Sequence, residues 1–287
     1  MSDQANGNGS GPSSKRSAGE PPQPRLSATI LLLRDQPGLE VLMVKRHYEI
    51  DFASGALVFP GGKAVAADGA PEWASRIDGD FEGDALAARV SAVREAFEEA
   101  GVLLARKATS RGADAPLVGQ DVTEALSPMR GPIDRGDADF LELMREHDLV
   151  LALDRLVHFG HWITPTMMPK RFDTHFYLAA TPPNQIAEQD GRETTEAVWL
   201  TPQAALDAEA AGTSTIIFPT RMNLKRLAMA ADTSGALARF SSLPVPTVLP
   251  EVSTDAEGKP CLRIPEVEGY GQTIEPLENV KNVAKPR

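Results

Sequence analysis

Glu95, Glu98 and Glu99 stand at i, i+3 and i+4 in the run Arg94-Glu95-Ala96-Phe97-Glu98-Glu99-Ala100-Gly101. A helix through this run carries three carboxylates on one face, within side-chain reach of each other. Like charges at that spacing repel, and here they lie near the helix C-terminus, where the macrodipole disfavours negative charge. A divalent cation turns the repulsion into ligation, and hard oxygen donors suit Mg²⁺ or Mn²⁺. Without such a cation the same spacing describes a solvated acidic face. Context favours the cation. Leu86, Val90, Val93 and Phe97 form an apolar stripe, which gives the helix a buried side and leaves the acidic side exposed. Gly101 supplies a helix stop. Upstream, Phe59-Pro60-Gly61-Gly62-Lys63 offers two glycines that let backbone approach a ligand or metal closely.

These residues together resemble the Nudix hydrolases. The family signature runs Gly, five residues, Glu, seven residues, then Arg-Glu-aliphatic-x-Glu-Glu-x-Gly-aliphatic. Gly62 and Asp68 match its first two positions in spacing, with Asp in place of Glu, and Arg94, Glu95, Glu98, Glu99, Gly101 and Val102 match its second half. Ala96 replaces a larger aliphatic. The gap from Asp68 to Arg94 is much longer than in the signature, and residues 69–84 read as an inserted loop. The resemblance implies an α/β (α+β) fold, a Nudix-type α/β/α sandwich with a mixed central β-sheet. It also implies metal-assisted hydrolysis of a diphosphate. Glu98 and Glu99 are then primary metal ligands, Glu95 a ligand or the base for the attacking water, and the Gly62 carbonyl a further ligand. Arg94 pairs with a carboxylate, here Asp68, and orients the loop against the helix.

Arg46, Gly55 and the FPGG run are spaced as in the coenzyme A diphosphatase branch of that family, although Asp51 stands where the branch has a second basic residue. The insertion with Trp73 and the run Arg171-Phe172-Asp173-Thr174 are similar to the Nudix type 19 subgroup, which acts on CoA and acyl-CoA esters. Arg46, Gly61, Gly62 and Arg171 are the candidate substrate contacts. For Arg46 the alternative is a surface charge at a strand end. ADP-ribose, dinucleotides or nucleoside triphosphates are the other substrate candidates, and a nucleotide-sensing module without catalysis is a different class of reading. The intact glutamates weigh against the last.

The chain has 287 residues and is 42% hydrophobic, enough for a sizeable core. With 29 Lys and Arg against 40 Asp and Glu, its net charge of −11 disfavours nucleic acid and anionic membrane partners. A small diphosphate carried by metal ions remains compatible, and a homodimer is open. The single cysteine, Cys261, allows no internal disulfide and points to a reducing, cytoplasmic compartment. The apolar runs are too short to span a membrane, and residues 1–25 read as a disordered polar tail.

The elements that position these groups follow in order. Residues 27–33 and 39–46 form a hairpin about Asp35-Gln36-Pro37-Gly38, and 57–59 a short strand delivering the two glycines. Residues 105–149 make a second insertion, irregular until about Asp137, with a helix over 138–147. Residues 151–163 and 172–180 resume strand character. His158 and His161, three apart in a strand, are expected on opposite faces and so not as a metal pair. His175 reads as a packed or surface residue. Glu193 and Glu196, ahead of the strand at 198–200, are each candidates for one further ligand or base. Thr201 caps a helix that runs to about Ala211, a second helix covers 220–231, and the Nudix-like domain spans 26–233. The Pro-rich remainder, 234–287, has β runs at 247–249 and 261–264 that would pair as an accessory hairpin.

Overall fold

The computed structural model describes residues 21–46, 55–189 and 194–283. The chain enters as strand β1 (Arg25–Asp35) and returns as β2 (Leu39–Arg46), pairing antiparallel from Leu33 opposite Val41 to Asp35 opposite Leu39. This is the expected hairpin. After β3 (Leu57–Val58), the glycines themselves form a strand, β4 (Gly61–Lys63), which pairs antiparallel with β1 and sets Gly62 opposite Ala28. The expected inserted loop, residues 69–84, holds one turn of 3₁₀ helix at Pro71–Ser75, and another at Ala66–Gly69 leads into it. Trp73 is buried there and donates its indole N–H to the Ala67 carbonyl at 2.9 Å.

Helix α1 (Gly83–Ala100) follows. Its stripe of Leu86, Val90, Val93 and Phe97 is buried as its spacing requires. Gly101 ends it at φ 68°, a left-handed conformation that glycine adopts without penalty, and the Val102 N–H turns back to the Ala96 carbonyl.

The second insertion is more regular than expected. It contains β5 (Ala105–Lys107), α2 (Gln120–Leu126), α3 (Arg130–Asp134), α4 (Phe140–Glu146) and β6 (Leu149–Leu151), with β5 and β6 paired as a separate ribbon. Helices of five to seven residues carry too few turns for a clear period in sequence. The strand expected over 151–163 is interrupted by a 3₁₀ turn at Leu153–Arg155, and β7 (Val157–Ile163) begins after it.

β7 pairs antiparallel with β8 (Phe172–Ala180), and β8 lies parallel to β1 in register from Arg25 opposite Phe172 to Leu33 opposite Ala180. β9 (Thr194–Leu200) pairs antiparallel with β2. Thr201 caps α5 (Pro202–Ala210), accepting the Ala204 N–H at 3.1 Å. Helix α6 (Phe218–Leu227) starts and stops a few residues before the expected 220–231, and α7 (Thr233–Ser242) was not expected. Asp232 caps α7 through the Gly235 N–H.

β10 (Thr247–Val248) adds to the main sheet parallel to β7, giving the path β10-β7-β8-β1-β2-β3. The expected hairpin between 247–249 and 261–264 is therefore absent, because the two runs belong to different sheets. β12 (Pro260–Arg263) instead pairs with β11 (Glu251–Thr254) and β13 (Ile274–Pro276), ahead of a last helix α8 (Leu277–Val283).

Strand alternation sends Ala28, Ile30 and Leu32 into the core under α1, and Leu31 and Leu33 into a second core under α5, α6 and α7. The result is the α/β/α sandwich about a mixed sheet. Among the described residues no helix is long and apolar enough to cross a membrane.

Candidate active site

The site lies where the last turns of α1 cross the β4 glycines. Gly61 donates its N–H to Glu99 Oε2 at 3.1 Å. A Cβ on residue 62 would stand 2.4 Å from Glu95 Oε1, so any larger residue there would push this carboxylate out of place. Gly62 and Glu95 thus meet as their sequence positions suggested.

Arg94 holds the constellation together. Its Nε and Nη2 donate to the two oxygens of Asp68 at 3.0 and 2.9 Å, a bidentate pair. Its Nη1 donates to Glu98 Oε2 and Glu95 Oε1, each at 2.9 Å, and Nη2 also reaches the Lys63 carbonyl. Asp68 in turn accepts the Val65 N–H at 2.9 Å, so one guanidinium and one carboxylate fasten the glycine loop to the helix. Burial by itself would favour a neutral guanidine, but Glu95, Asp68 and Glu98 hold Arg94 firmly charged.

The acidic face is not the exposed surface expected from the apolar stripe opposite it. Glu95, Glu98 and Glu99 are 7%, 6% and 8% exposed. The glycine loop covers them from one side, and the second insertion approaches from another. Arg130 of α3 donates to the Glu98 carbonyl at 3.0 Å, and Asp134 of the same helix acts electrostatically on Glu98. Burial pushes the Glu98 carboxyl up to about 8, against the pull of Arg94. Arg130 and Asp134 carried no signal in sequence, since a single Arg or Asp in a short irregular segment has no partner to reveal it.

These features fit a divalent cation: a buried cluster of hard carboxylate oxygens whose mutual repulsion a cation relieves, and a backbone strand brought against them by glycine. Glu98, Glu99 and the Gly62 carbonyl are the residues that would hold it, with Glu95 beside them as a further ligand or as the base.

The other candidates sit apart. Arg171 is buried and donates to the carbonyls of Thr164 and Pro22, which ties the start of β8 to the start of the described chain. It also lines a cleft of about 290 Å³ together with Arg25, Lys170 and Lys63, the residue that follows Gly62. Glu196 is exposed on β9, and alternation with Ala197, which packs against the α1 core, turns it away from the glutamates. Glu193, Asp51 and the side chain of Arg46 lie outside the described residues.

His158 and His161 overturn their expectation. They lie on one face, because the β7–β8 register slips between His158 and Gly160, where a β-bulge adds a residue. Both imidazoles contact His175 of β8.

The family described as the NUDT19 Nudix domain matches residues 75–227. A Xenopus laevis protein named acyl-coenzyme A diphosphatase NUDT19 is 26% identical over 207 residues, 58% of this chain and 54% of that protein. A Caenorhabditis elegans protein named putative nudix hydrolase 7 is 28% identical over 206 residues, 72% of this chain and 61% of its own length. The chain thus spans little more than half the length of these relatives. A crystal structure of a Nudix hydrolase from Alicyclobacillus acidocaldarius superposes with a TM-score of 0.65 at 28% identity, over 77% of this chain and 99% of that one. With its glycine loop, its arginine-centred carboxylates and a family match over more than half its residues, this chain belongs to the Nudix hydrolase family, in the branch of the NUDT19 Nudix domain.

Proposed function

We propose that this protein is a Mg²⁺- or Mn²⁺-dependent diphosphatase that hydrolyses CoA or an acyl-CoA to adenosine 3′,5′-bisphosphate and 4′-phosphopantetheine or its acyl form. The observation that carries the reading is the burial of Glu95, Glu98 and Glu99 around Gly62 and Arg94. The relatives named acyl-coenzyme A diphosphatase point the substrate toward CoA esters. The lone Cys261 suits a reducing, cytoplasmic setting.

When bound, a divalent cation neutralises charge on diphosphate oxygens and acidifies water. The protein's own groups do the rest. Glu95 accepts the proton as the oxygen of water bonds to phosphorus and the bridging P–O bond breaks, which releases two phosphomonoesters. Arg94 positions Glu95 and Glu98 by hydrogen bonds and fixes the glycine loop through Asp68. The cleft lined by Arg25, Lys63, Lys170 and Arg171 offers positive charge beside the loop, where the third phosphate of CoA, on the ribose, is received.

The test is a hydrolysis panel of CoA, acetyl-CoA, a long-chain acyl-CoA, ADP-ribose and NADH, with Mg²⁺, Mn²⁺ or EDTA, and products read by mass. Metal-dependent release of adenosine 3′,5′-bisphosphate from the CoA compounds is the expected result. Cleavage of ADP-ribose or NADH alone overturns the substrate. Tight binding with no cleavage of any compound overturns the enzyme in favour of a sensing module.

A further inference from the structure

Beyond the glutamate site, β7 and β8 carry a second cluster of ligating groups. His161 stands opposite His175 in the β7–β8 register, and their rings stack at 4.3 Å with an interplanar angle of 8°. Asp173, two residues before His175, lies on the same face. One ligand atom from each of His161, Asp173 and His175 falls within 4.8 Å of the others. His161 Nε2 contacts Asp173 Oδ1 directly, and His175 Nε2 is 3.9 Å from that same oxygen. Two imidazole nitrogens and one carboxylate oxygen therefore lie within reach of one ion, once one of the two parallel rings turns toward it. All three side chains keep partial exposure, 18% to 31%, so an ion has a route in.

The outer contacts are those that metal-binding histidines need. A ligating imidazole generally commits its other nitrogen to a fixed partner, which sets the tautomer and aims the ring. His161 Nδ1 lies 3.1 Å from Thr247 Oγ1, and His175 Nδ1 lies 3.0 Å from His158 Nε2. Each ring thus spends Nδ1 on a neighbour and turns Nε2 toward Asp173. The β-bulge after His158 makes this possible, because it brings His158 to the face that carries His161. An ion pair between His161 and Asp173 alone does not account for the second histidine, whose Nε2 stands 3.9 Å from the same oxygen, or for the two Nδ1 partners.

We propose that His161, His175 and Asp173 form a second metal site, for a borderline divalent ion of the Zn²⁺ class, with His158 and Thr247 as positioning residues. Two imidazoles and a carboxylate match the donor set of zinc, with a fourth position left for water or another ligand, and do not suit Mg²⁺, which takes oxygen donors. The site is separate from the glutamates. His175 and Gly62 both pair with Ala28, from opposite sides of β1, so two strand spacings, about 10 Å, divide them. Because Thr247 belongs to β10, the ion would also fasten the C-terminal part of the chain to the sheet edge. The proposal does not depend on what the glutamate site hydrolyses.

The experiment uses the full chain carrying Glu98→Gln and Glu99→Gln, which weakens the first site, stripped with chelator and kept in millimolar Mg²⁺. Zn²⁺ uptake is measured by elemental analysis after dialysis, and Co²⁺ is added as an optical probe. One equivalent of Zn²⁺, with a Co²⁺ visible spectrum of low coordination number, is expected. His161→Gln, His175→Gln or Asp173→Asn should each lower Zn²⁺ affinity at least a hundredfold, and Thr247→Val about tenfold. His147→Gln, at a histidine exposed away from the cluster, should bind as the parent does. Circular dichroism confirms that each variant is folded, and Asp173→Asn, the closest isostere, guards against loss through misfolding. Absence of stoichiometric Zn²⁺ in the parent, or uptake unchanged in all three ligand variants, overturns the proposal.

Discussion

Arg94 faces two ways within the candidate active site: Nε and Nη2 hold Asp68, and Nη1 holds Glu98 and Glu95. Lysine keeps the charge but offers no planar fork, so Arg94→Lys cannot serve both sets of oxygens. We expect Arg94→Lys to lower kcat by about a hundredfold, the scale on which misplaced groups cost rate, with KM nearly unchanged. Glu98→Gln keeps size and removes a ligand charge, and should lose on the order of 10³ or more in kcat with the fold intact. A Glu98→Gln enzyme close to wild-type turnover in Mg²⁺ would remove Glu98 from the machinery. The basic cleft gives a finer test. Lys170→Ala should raise KM about tenfold for CoA, which carries a third phosphate, and leave KM for ADP-ribose unchanged. Equal effects on both compounds would place Lys170 outside phosphate recognition. At this scale the sequence revealed what spacing encodes: three glutamates on one helix face, and a glycine at fixed distance from Asp68. It concealed what needs a third dimension. Arg130 and Asp134 reach Glu98 from an insertion of no evident pattern, and His158 joins His161 only through a bulge, a backbone irregularity that strict alternation does not anticipate.

The insertions are elements fastened by charge. Arg106 of β5 is fully buried and bridges Asp78, ahead of α1, to Asp154, after β6, at 2.8 and 2.6 Å. Asp78 also accepts from Arg111 and from the Gly112 N–H. Its own desolvation pushes the carboxyl up, yet Arg111, Gly112 and Arg106 outweigh it and hold the pKa below the ordinary 3.8. A carboxylate depressed in the folded state stabilises above its unfolded pKa and loses that contribution as pH falls through the folded value. Asp78→Asn should therefore cost about 3 kcal/mol at pH 7, the low end for a broken buried pair because Arg106 keeps Asp154. In urea titrations the gap between wild type and variant should stay level from pH 8 to 5 and narrow as pH falls below 3.8. A gap independent of pH would mean that packing, not charge, fastens the insertion. The long elements were legible because period and caps agree: α1 has its apolar stripe and its left-handed Gly101, and α5 has Thr201. The short ones were not. α2 and α3 are helical through tertiary contact, β4 is three residues with two glycines, and α7 follows an Asp232 cap among residues that read as a Pro-rich tail.

The whole molecule divides its work across the sheet. The face under α1 carries the glutamates and the histidine cluster, and the other face, under α5, α6 and α7, is apolar and holds the C-terminal part of the chain in place. Residues 233–248 belong to the main fold, since Phe240 and Val248 are buried in that second core and β10 extends the sheet. Tyr270 fixes the remainder. It is fully buried, its hydroxyl accepts the Trp162 indole N–H at 3.0 Å, and its ring lies 5.7 Å from that of Trp162. Removing a buried aromatic costs about 3–5 kcal/mol, so Tyr270→Ala should lower Tm by roughly 10 °C in a chain of this size. Tyr270→Phe keeps the ring and leaves the Trp162 N–H unsatisfied, a cost of about 1–3 kcal/mol. Because Tyr270 packs on the face away from α1, the folded fraction of either variant should retain wild-type kcat within about twofold at 25 °C, where both remain native. Thermal melts and initial rates on the same preparations separate the two quantities. A large fall in kcat with Tm unchanged would show that the second core sets the geometry of the glutamates, and the division of labour between the two faces would have to be abandoned.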